Sequence, residues 1–246
     1  MIKISLIRHA QASFGAANYD QLSSLGKQQA SAIGSYLLNC NQAFSQVYHG
    51  AMWRQRETAE LILENARLDL KMQLDTALNE FDSEQLLTYY IPILANTNDE
   101  FQQLINNEKP WHSSATNFEK VFRALIHLWH QDADCPFESW ADFKNRVLHF
   151  LKRIAKQADV SQGQTESIAL VTSGGVIGVI LQAILDLTVE KLLDINLMIY
   201  NASVTEIYCL PKAPSDTDAL SQFRLSSFNN ISGLLTANKP QWITRK

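Results

Sequence analysis

Apolar runs with little alternation are separated by segments of helical periodicity along most of the chain. Runs rich in apolar and β-branched residues predict buried strands over Ile2–Ile7, Gln46–Tyr48, Ser167–Thr172, Ser203–Leu210 and Phe223–Phe228. Apolar positions spaced by three or four residues predict helices over Leu25–Leu38, Arg54–Leu70, Ala141–Ala158 and Val176–Leu187. Strands that alternate with helices favour an α/β fold of three layers (α/β/α) with a mostly parallel central sheet.

Residues 83–140 have a different character, because Asn, Gln and aromatic residues become more frequent there. Helical periodicity within this stretch covers Glu84–Leu94, Asp99–Ile105 and Phe118–His130. We expect a single domain over residues 1–246, with this stretch as a helical insertion that covers one end of the sheet. Leu74–Asp82 is predicted to be a short extended segment, and Pro211–Ser221 a polar surface loop.

Composition and charge exclude several classes of protein. Hydrophobic residues make up 46% of the 246 positions and charged residues 19%, which is typical of a folded chain. The net charge is −4 and Lys and Arg do not cluster, which argues against nucleic-acid binding. The longest apolar run, Val176–Leu187, contains Gln182 and is too short to span a membrane.

The cysteines and the N-terminus both indicate a cytoplasmic protein. Cys40, Cys135 and Cys209 are scattered and odd in number, which predicts reduced thiols and not a disulfide framework. The chain begins at once with a strand pattern, so no signal peptide is expected.

Residues that can bind or transfer a phosphoryl group follow four predicted strands or extended segments. They are Arg8-His9, Arg54, Glu80, and Ser173-Gly174. Because the carboxyl ends of parallel strands meet at one edge of a sheet, we expect these segments to converge on one crevice. The guanidinium group matches phosphate geometry, and a neutral imidazole beside it can attack phosphorus. Taken alone, Arg8-His9 is more simply interpreted as an exposed strand end with two polar residues. The other three segments along the chain favour a phosphate site instead.

The order of these motifs resembles the histidine phosphatase superfamily, which includes cofactor-dependent phosphoglycerate mutases. The resemblance runs over most of the chain. It rests on Arg8-His9-Ala10, on Leu22 to Gly26, on Met52 to Ala59, on Leu78-Asn79-Glu80, on Glu138-Ser139-Trp140 through Arg146-Val147, and on Phe228-Asn229. It implies that His9 attacks the phosphoryl group to form a phosphohistidine, and that Arg8 and Arg54 clamp its oxygens.

The resemblance also implies a general acid that protonates the leaving oxygen. Glu80 matches the acidic motif of the family, and Asp82 is the rival, two residues further on and on the same face if the segment is extended. A first-turn helix charge is the alternative interpretation of Glu80. Ser13, in the loop after His9, is a candidate donor to phosphate or a residue that caps its own loop.

The sequence departs from the family pattern at the second histidine, whose position is taken by Ser173. A hydroxyl supplies one neutral donor where an imidazolium supplies a charged one, a difference of about 1 kcal/mol or more. Gly174 and Gly175 still open a helix whose N-terminus can attract an anion. His49, at the end of the second strand, is a candidate replacement or a structural strand-end histidine. Ala10 stands where the family has glycine, which matters if the backbone there needs a positive φ.

These observations predict a phosphomonoesterase that acts through a phosphohistidine on a small phosphorylated substrate. No metal or other cofactor is expected, since His127 and His130 lack further ligands at a tight spacing. The first alternative is a catalytically impaired protein of the same fold that binds a phosphate ligand or a partner. Further alternatives are a phosphotransferase of the mutase type and a phosphatase that acts on proteins.

Overall fold

Six strands of the described chain form one sheet, and five of them run in the same direction. The structure is a computed structural model that describes residues 1–13, 20–107, 109–160, 165–212 and 218–245, without the side chains of 159 and 160. The strands are β1 (Ile2–Arg8), β2 (Gln46–His49), β3 (Met72–Leu74), β4 (Glu166–Thr172), β5 (Val204–Cys209) and β6 (Phe223–Asn230). Their order is β3-β2-β4-β1-β5-β6, and only β5 pairs antiparallel with its neighbours. The prediction of a mostly parallel α/β sheet is confirmed.

Helices connect the strands, and their ends are set by local residues. The helices are α1 (Ser24–Asn39), α2 (Trp53–Ala66), α3 (Ser83–Ala95), α4 (Asp99–Ile105), α5 (Ala115–Gln131), α6 (Trp140–Val160), α7 (Gly174–Leu185), α8 (Val189–Met198) and α9 (Ser232–Leu235). The Ser23 hydroxyl caps α1 by accepting the Gly26 N–H at 2.9 Å. Arg67 and Asp186 end α2 and α7 in the left-handed conformation, with φ of 54° and 53°.

Helices pack on both faces of the sheet. Ile7, Val47 and Val171 belong to one buried apolar cluster, and its members from α1 and α2 include Ile33, Leu37, Ile62 and Leu63. Tyr48 follows Val47 in β2, and its ring lies edge-on at 5.4 Å from Phe150 of α6. Successive residues of a strand point to opposite faces, so α1 and α2 cover one face and α6 covers the other. The three-layer prediction is therefore confirmed.

The chain divides into two compact units, Met1–Glu80 with Val147–Lys246, and Phe81–Arg146. The first unit contains the whole sheet. The second contains α3, α4, α5 and the start of α6, and aromatic rings fill its interior. Trp129 lies 5.2 Å from Phe81 and 5.1 Å from Trp140 between ring centroids.

Two sequence predictions for local structure were wrong. The extended segment over Leu74–Asp82 is a strand only as far as Leu74, and a 3₁₀ turn follows because the Asp75 carboxylate accepts the Ala77 N–H at 2.9 Å. The second helix ends at Ala66 instead of Leu70, where Arg67 turns left-handed. Helix α8 was not predicted. Of the predicted loop Pro211–Ser221, residues 213–217 lie outside the described residues.

Two further observations concern the described helices and the cysteines. None of these helices combines the length and the apolar character needed to cross a membrane. Cys40, Cys135 and Cys209 are all free thiols.

Candidate active site

His9 lies just beyond the end of β1, buried and with its imidazole held on both nitrogens. Its backbone N–H donates to the Thr172 carbonyl at 2.8 Å, which continues the pairing of β1 with β4. Nδ1 lies 2.8 Å from the Ala10 carbonyl oxygen, and a carbonyl can only accept, so Nδ1 carries the hydrogen. Nε2 is then the nitrogen with a lone pair, and it accepts from Arg54 Nε at 3.2 Å.

The surroundings of His9 keep the imidazole neutral. Burial lowers the pKa of His9 well below its usual 6.5, and the positive charges of Arg54 and Arg8 lower it further. The hydrogen bond to the Ala10 carbonyl opposes this shift and is the weaker effect. A neutral imidazole whose lone pair is on Nε2 is the nucleophilic form of histidine, and here Arg54 Nε donates to that lone pair.

Arg54 is the second residue of α2, and it reaches His9 from the helix N-terminus. The residue is buried, and its guanidinium binds two groups in different directions: Nε donates to His9, and Nη1 donates to Asp20 Oδ1 at 2.7 Å. The other oxygen of Asp20 accepts the Trp53 N–H at 2.7 Å. Asp20 therefore both caps α2 and holds the arginine that contacts His9.

Arg8 ends β1 and lies beside the N-terminus of α7. Its Nη1 donates to the Ile199 carbonyl, directly after α8. A Cβ added at Gly174 would lie 2.5 Å from Asn196 Oδ1 and 3.9 Å from Arg8 Nε. A larger residue at position 174 would therefore displace the Asn196 side chain, at the place where α7 and α8 approach each other beside the Arg8 guanidinium.

Glu80 and Asp82 have different environments. Glu80 Oε2 accepts the Gly175 N–H at 2.9 Å, which places the carboxyl group at the first turn of α7. The Asp82 carboxylate is exposed and caps α3 by accepting the N–H groups of Glu84 and Gln85, each at 3.0 Å. Glu80 is thus the acid that the structure holds at the carboxyl edge of the sheet.

Ser173 is buried between the end of β4 and the start of α7. Its Oγ accepts from Gln55 Nε2 at 2.8 Å. Since Arg8 pairs with Thr172 in the parallel ladder, Ser173 follows directly beside His9 on the neighbouring strand. Ser173 is the residue that the sequence resemblance matched to the second histidine of the family.

The loop after His9 is fixed by a hydroxyl. Thr58 Oγ1 accepts the Ala10 N–H at 3.1 Å and donates to the Arg54 carbonyl at 2.7 Å. Ala10 does not adopt a positive φ, so the alanine brings no backbone strain. Ser13 donates its backbone N–H to the Gln21 carbonyl at 2.8 Å, and residues 14–19 that follow lie outside the described residues.

His49 lies at the end of β2, two strands away from His9. Its Nδ1 lies 2.7 Å from the Gly50 carbonyl oxygen, and Val171 of β4 is its partner in the ladder. His49 is in register with Val171 and through it with Ile7, two residues before His9, so with about 5 Å between strands and about 3.3 Å per residue the two histidine backbones are about 12 Å apart. This spacing and the local hydrogen bond favour a structural role for His49. In the described ranges, three or more His, Cys, Asp or Glu side chains do not gather closely enough to hold a metal ion.

The site contains three residues that sequence reasoning missed. Thr58 lies one helical turn after Arg54, so its spacing could have indicated a shared face. Gln55 and Asp20 carried no such signal, because their roles depend on the position of Ser173 and on the path of the chain before α1.

Comparison with known proteins assigns the class. The sequence model of the histidine phosphatase superfamily (branch 1) matches residues 4–215. The chain belongs to this superfamily, as its motifs predicted. No curated protein matches the chain.

Solved structures share the fold at low sequence identity. A phosphoglycerate mutase from Bacillus anthracis str. Sterne is 17% identical with a TM-score of 0.63, and the match covers 97% of each chain. A mycobacterial glucosyl-3-phosphoglycerate phosphatase is 20% identical with a TM-score of 0.59, over 93% of this chain and 98% of that one. A phosphoserine phosphatase mutant from Entamoeba histolytica, in complex with phosphoserine, is 18% identical with a TM-score of 0.59, over 95% and 100%. At these identities the likeness concerns the fold.

Proposed function

We propose that the protein is a phosphomonoesterase that acts on a small phosphorylated substrate through a phosphohistidine. One observation carries the proposal: His9 Nδ1 donates to the Ala10 carbonyl and its Nε2 lies 3.2 Å from Arg54 Nε, in a buried setting that lowers the pKa of the imidazole. A nucleophilic nitrogen beside a buried guanidinium suits attack on a phosphoryl group and poorly suits attack on an uncharged carbonyl.

In the first step, the Arg54 N–H turns from His9 Nε2 to a phosphoryl oxygen, and the freed Nε2 lone pair forms a bond to phosphorus as the bond to the leaving oxygen breaks. Arg54 and Arg8 meet the charge on the non-bridging oxygens with fixed donors, which is the main contribution a protein can make to this transfer. Glu80 supplies the proton that the leaving alkoxide needs. Its Oε2 accepts the Gly175 N–H, which holds the carboxyl group at the first turn of α7.

In the second step, water attacks phosphorus and the bond to Nε2 breaks. The Glu80 carboxylate takes the proton that the water releases, which regenerates the acid for the next cycle. His9 returns to its neutral form, with Nδ1 still donating its hydrogen to the Ala10 carbonyl. The cycle as proposed uses only side chains of this protein.

A phosphate-binding protein without turnover is the second candidate, and Ser173 is the observation that favours it. A neutral hydroxyl replaces an imidazole, and by analogy with the loss of one oxyanion donor this lowers the rate by about 10²- to 10³-fold. The presence of both His9 and Glu80 favours the enzyme, because a binding protein needs no nucleophile.

The decisive experiment measures phosphate release from p-nitrophenyl phosphate and from small phosphomonoesters, with EDTA present. Phosphoserine and glucosyl-3-phosphoglycerate belong in this panel, since proteins of the same fold are named for them. We expect turnover in the wild type and in the control His127→Ala, and none in His9→Ala. Transfer of the phosphoryl group to a second alcohol instead of water would indicate a mutase. A folded wild type that binds phosphate but releases none from any ester would support the binding protein instead.

A further inference from the structure

Gln55 is a buried glutamine whose amide nitrogen serves two acceptors. Its Nε2 donates to the Leu78 carbonyl at 3.0 Å and to Ser173 Oγ at 2.8 Å. The residue adjoins Arg54 on α2 but contacts the strand beside that of His9. Gln55 thereby links the helix that carries the phosphate arginine to the serine at the position of the second histidine.

The orientation of the Gln55 amide is fixed by its neighbours. A main-chain carbonyl such as Leu78 can only accept, so the NH₂ group must be the end that faces it. Rotating the amide by 180° would set two acceptors against each other at 3.0 Å. Ser173 Oγ is therefore the acceptor in its bond with Gln55.

Close packing around Gly50 holds the same amide in place. A Cβ added at Gly50 would lie 2.0 Å from Gln55 Oε1 and 2.8 Å from Asn79 Oδ1. Gln55 Oε1 is buried and forms no hydrogen bond with the described residues. An orientation that leaves this oxygen without a partner shows that the amide nitrogen determines how the side chain is placed.

The bond with Gln55 decides what the Ser173 hydroxyl can do. With a lone pair engaged, the hydroxyl keeps its hydrogen for another acceptor. Ser173 directly follows Thr172, the residue paired with Arg8, so its backbone lies about 5 Å from that of His9. An oxygen of a phosphoryl group in transfer to His9 is an acceptor of the right charge at this place.

We propose that Gln55 is a positioning residue that presents the Ser173 hydroxyl as a hydrogen-bond donor to the transferring phosphoryl group. Gln55 itself does not touch the substrate. The pair supplies the donor that an imidazole would otherwise provide, in a form that carries no charge at any pH. This inference rests on the proposed function for its catalytic readout, and on phosphate binding for an independent one.

The test is a double-mutant cycle of Gln55→Leu, Ser173→Ala and the combined variant. Turnover of p-nitrophenyl phosphate gives kcat and KM, and calorimetry gives the Kd for orthophosphate. Gln222→Leu is the matched control, because this buried glutamine also donates to a main-chain carbonyl, that of Leu210 at 3.1 Å. Gln222 lies just before β6, at the end of the sheet where β1 begins, whereas the candidate site lies where β1 ends. The control is expected to lose stability while kcat stays unchanged.

We expect Ser173→Ala to lower kcat by about 10- to 100-fold, as for the loss of a hydrogen bond to a charged group. Gln55→Leu should lower kcat by about 3- to 10-fold with little change in KM, since the hydroxyl remains but is no longer oriented. The combined variant should match Ser173→Ala, because Gln55 acts through Ser173. The Kd for orthophosphate should follow the same pattern with smaller factors.

Multiplying losses in the combined variant would overturn the inference, since they would mean that Gln55 acts by another route. An unchanged kcat in Gln55→Leu would overturn it as well. If the wild type turns over no ester, the proposed function fails, and the phosphate cycle alone decides the inference. A wild type that neither turns over esters nor binds orthophosphate would overturn both proposals.

Discussion

Replacing Arg54 with lysine keeps the positive charge and removes the planar fork of donors. Arg54 uses Nε for His9 at 3.2 Å and Nη1 for Asp20 at 2.7 Å, on different sides of the guanidinium. A lysine has a single nitrogen at its end and can hold one of these partners at a time. The residue is only 8% exposed, so water does not readily replace the lost contact.

The expected effect follows from one lost charge-assisted hydrogen bond in a buried site, about 1.5–3 kcal/mol. At 1.4 kcal/mol for each factor of ten, Arg54→Lys should lower kcat/KM by about 10- to 150-fold. The assay is initial-rate hydrolysis of p-nitrophenyl phosphate at several pH values, on protein whose folding is checked by circular dichroism.

Arg56→Lys is the matched control for this prediction. Arg56 lies two residues further along α2, is exposed, and pairs with Glu60 at 2.7 Å across one turn. Exposed pairs of this kind contribute little, so its kcat/KM should stay within about twofold of the wild type. An Arg54→Lys variant as active as Arg56→Lys would refute the role of the guanidinium geometry.

Three other perturbations test separate parts of the site. Below pH 6.5, His9 becomes protonated in the unfolded chain but not in the native chain, because its native pKa is lowered. The free energy of unfolding should therefore fall by up to about 1.4 kcal/mol for each pH unit until the native pKa is reached. Urea unfolding should show a steeper loss in the wild type than in His9→Asn. Thr58→Val leaves the buried Ala10 N–H without its acceptor, so the free energy of unfolding measured in urea should fall by about 1–3 kcal/mol. Thr58→Ser keeps the hydroxyl and should retain most of that stability. Equal stabilities of the two variants would contradict this hydrogen bond. Glu80→Gln should slow hydrolysis of alkyl phosphates far more than that of p-nitrophenyl phosphate, whose leaving group needs little protonation, and a uniform loss would count against Glu80 as the acid.

The sequence predicted the mostly parallel sheet, and it predicted that the segments of His9 and Arg54 converge on one crevice, because both follow from the pattern of strands. Buried strands have a distinctive composition, and residues at the carboxyl ends of parallel strands must share an edge. The motif around Arg54 also placed that arginine at a helix start. These features need no knowledge of distant contacts.

The features that the sequence analysis did not predict have both local and remote causes. Helix α8 had a signal, since Thr188 caps it by accepting the Lys191 N–H at 3.3 Å and Glu190 follows in the first turn. The pairing of Gln55 with Ser173 had none, because it joins positions 118 residues apart. The extended segment after β3 was predicted from its composition, and the Asp75 side chain turned the backbone instead.

If Arg54 binds phosphate as proposed, its ion pair with Asp20 affects how long that phosphate stays in the site. The carboxylate already occupies part of the guanidinium at 2.7 Å, so an arriving phosphate gains the difference between two ion pairs and not the full strength of one. A departing phosphate is replaced at once by a group tethered to the chain, which favours dissociation over recapture. For the proposed phosphatase we therefore expect a short residence time of inorganic phosphate and weak inhibition by this product.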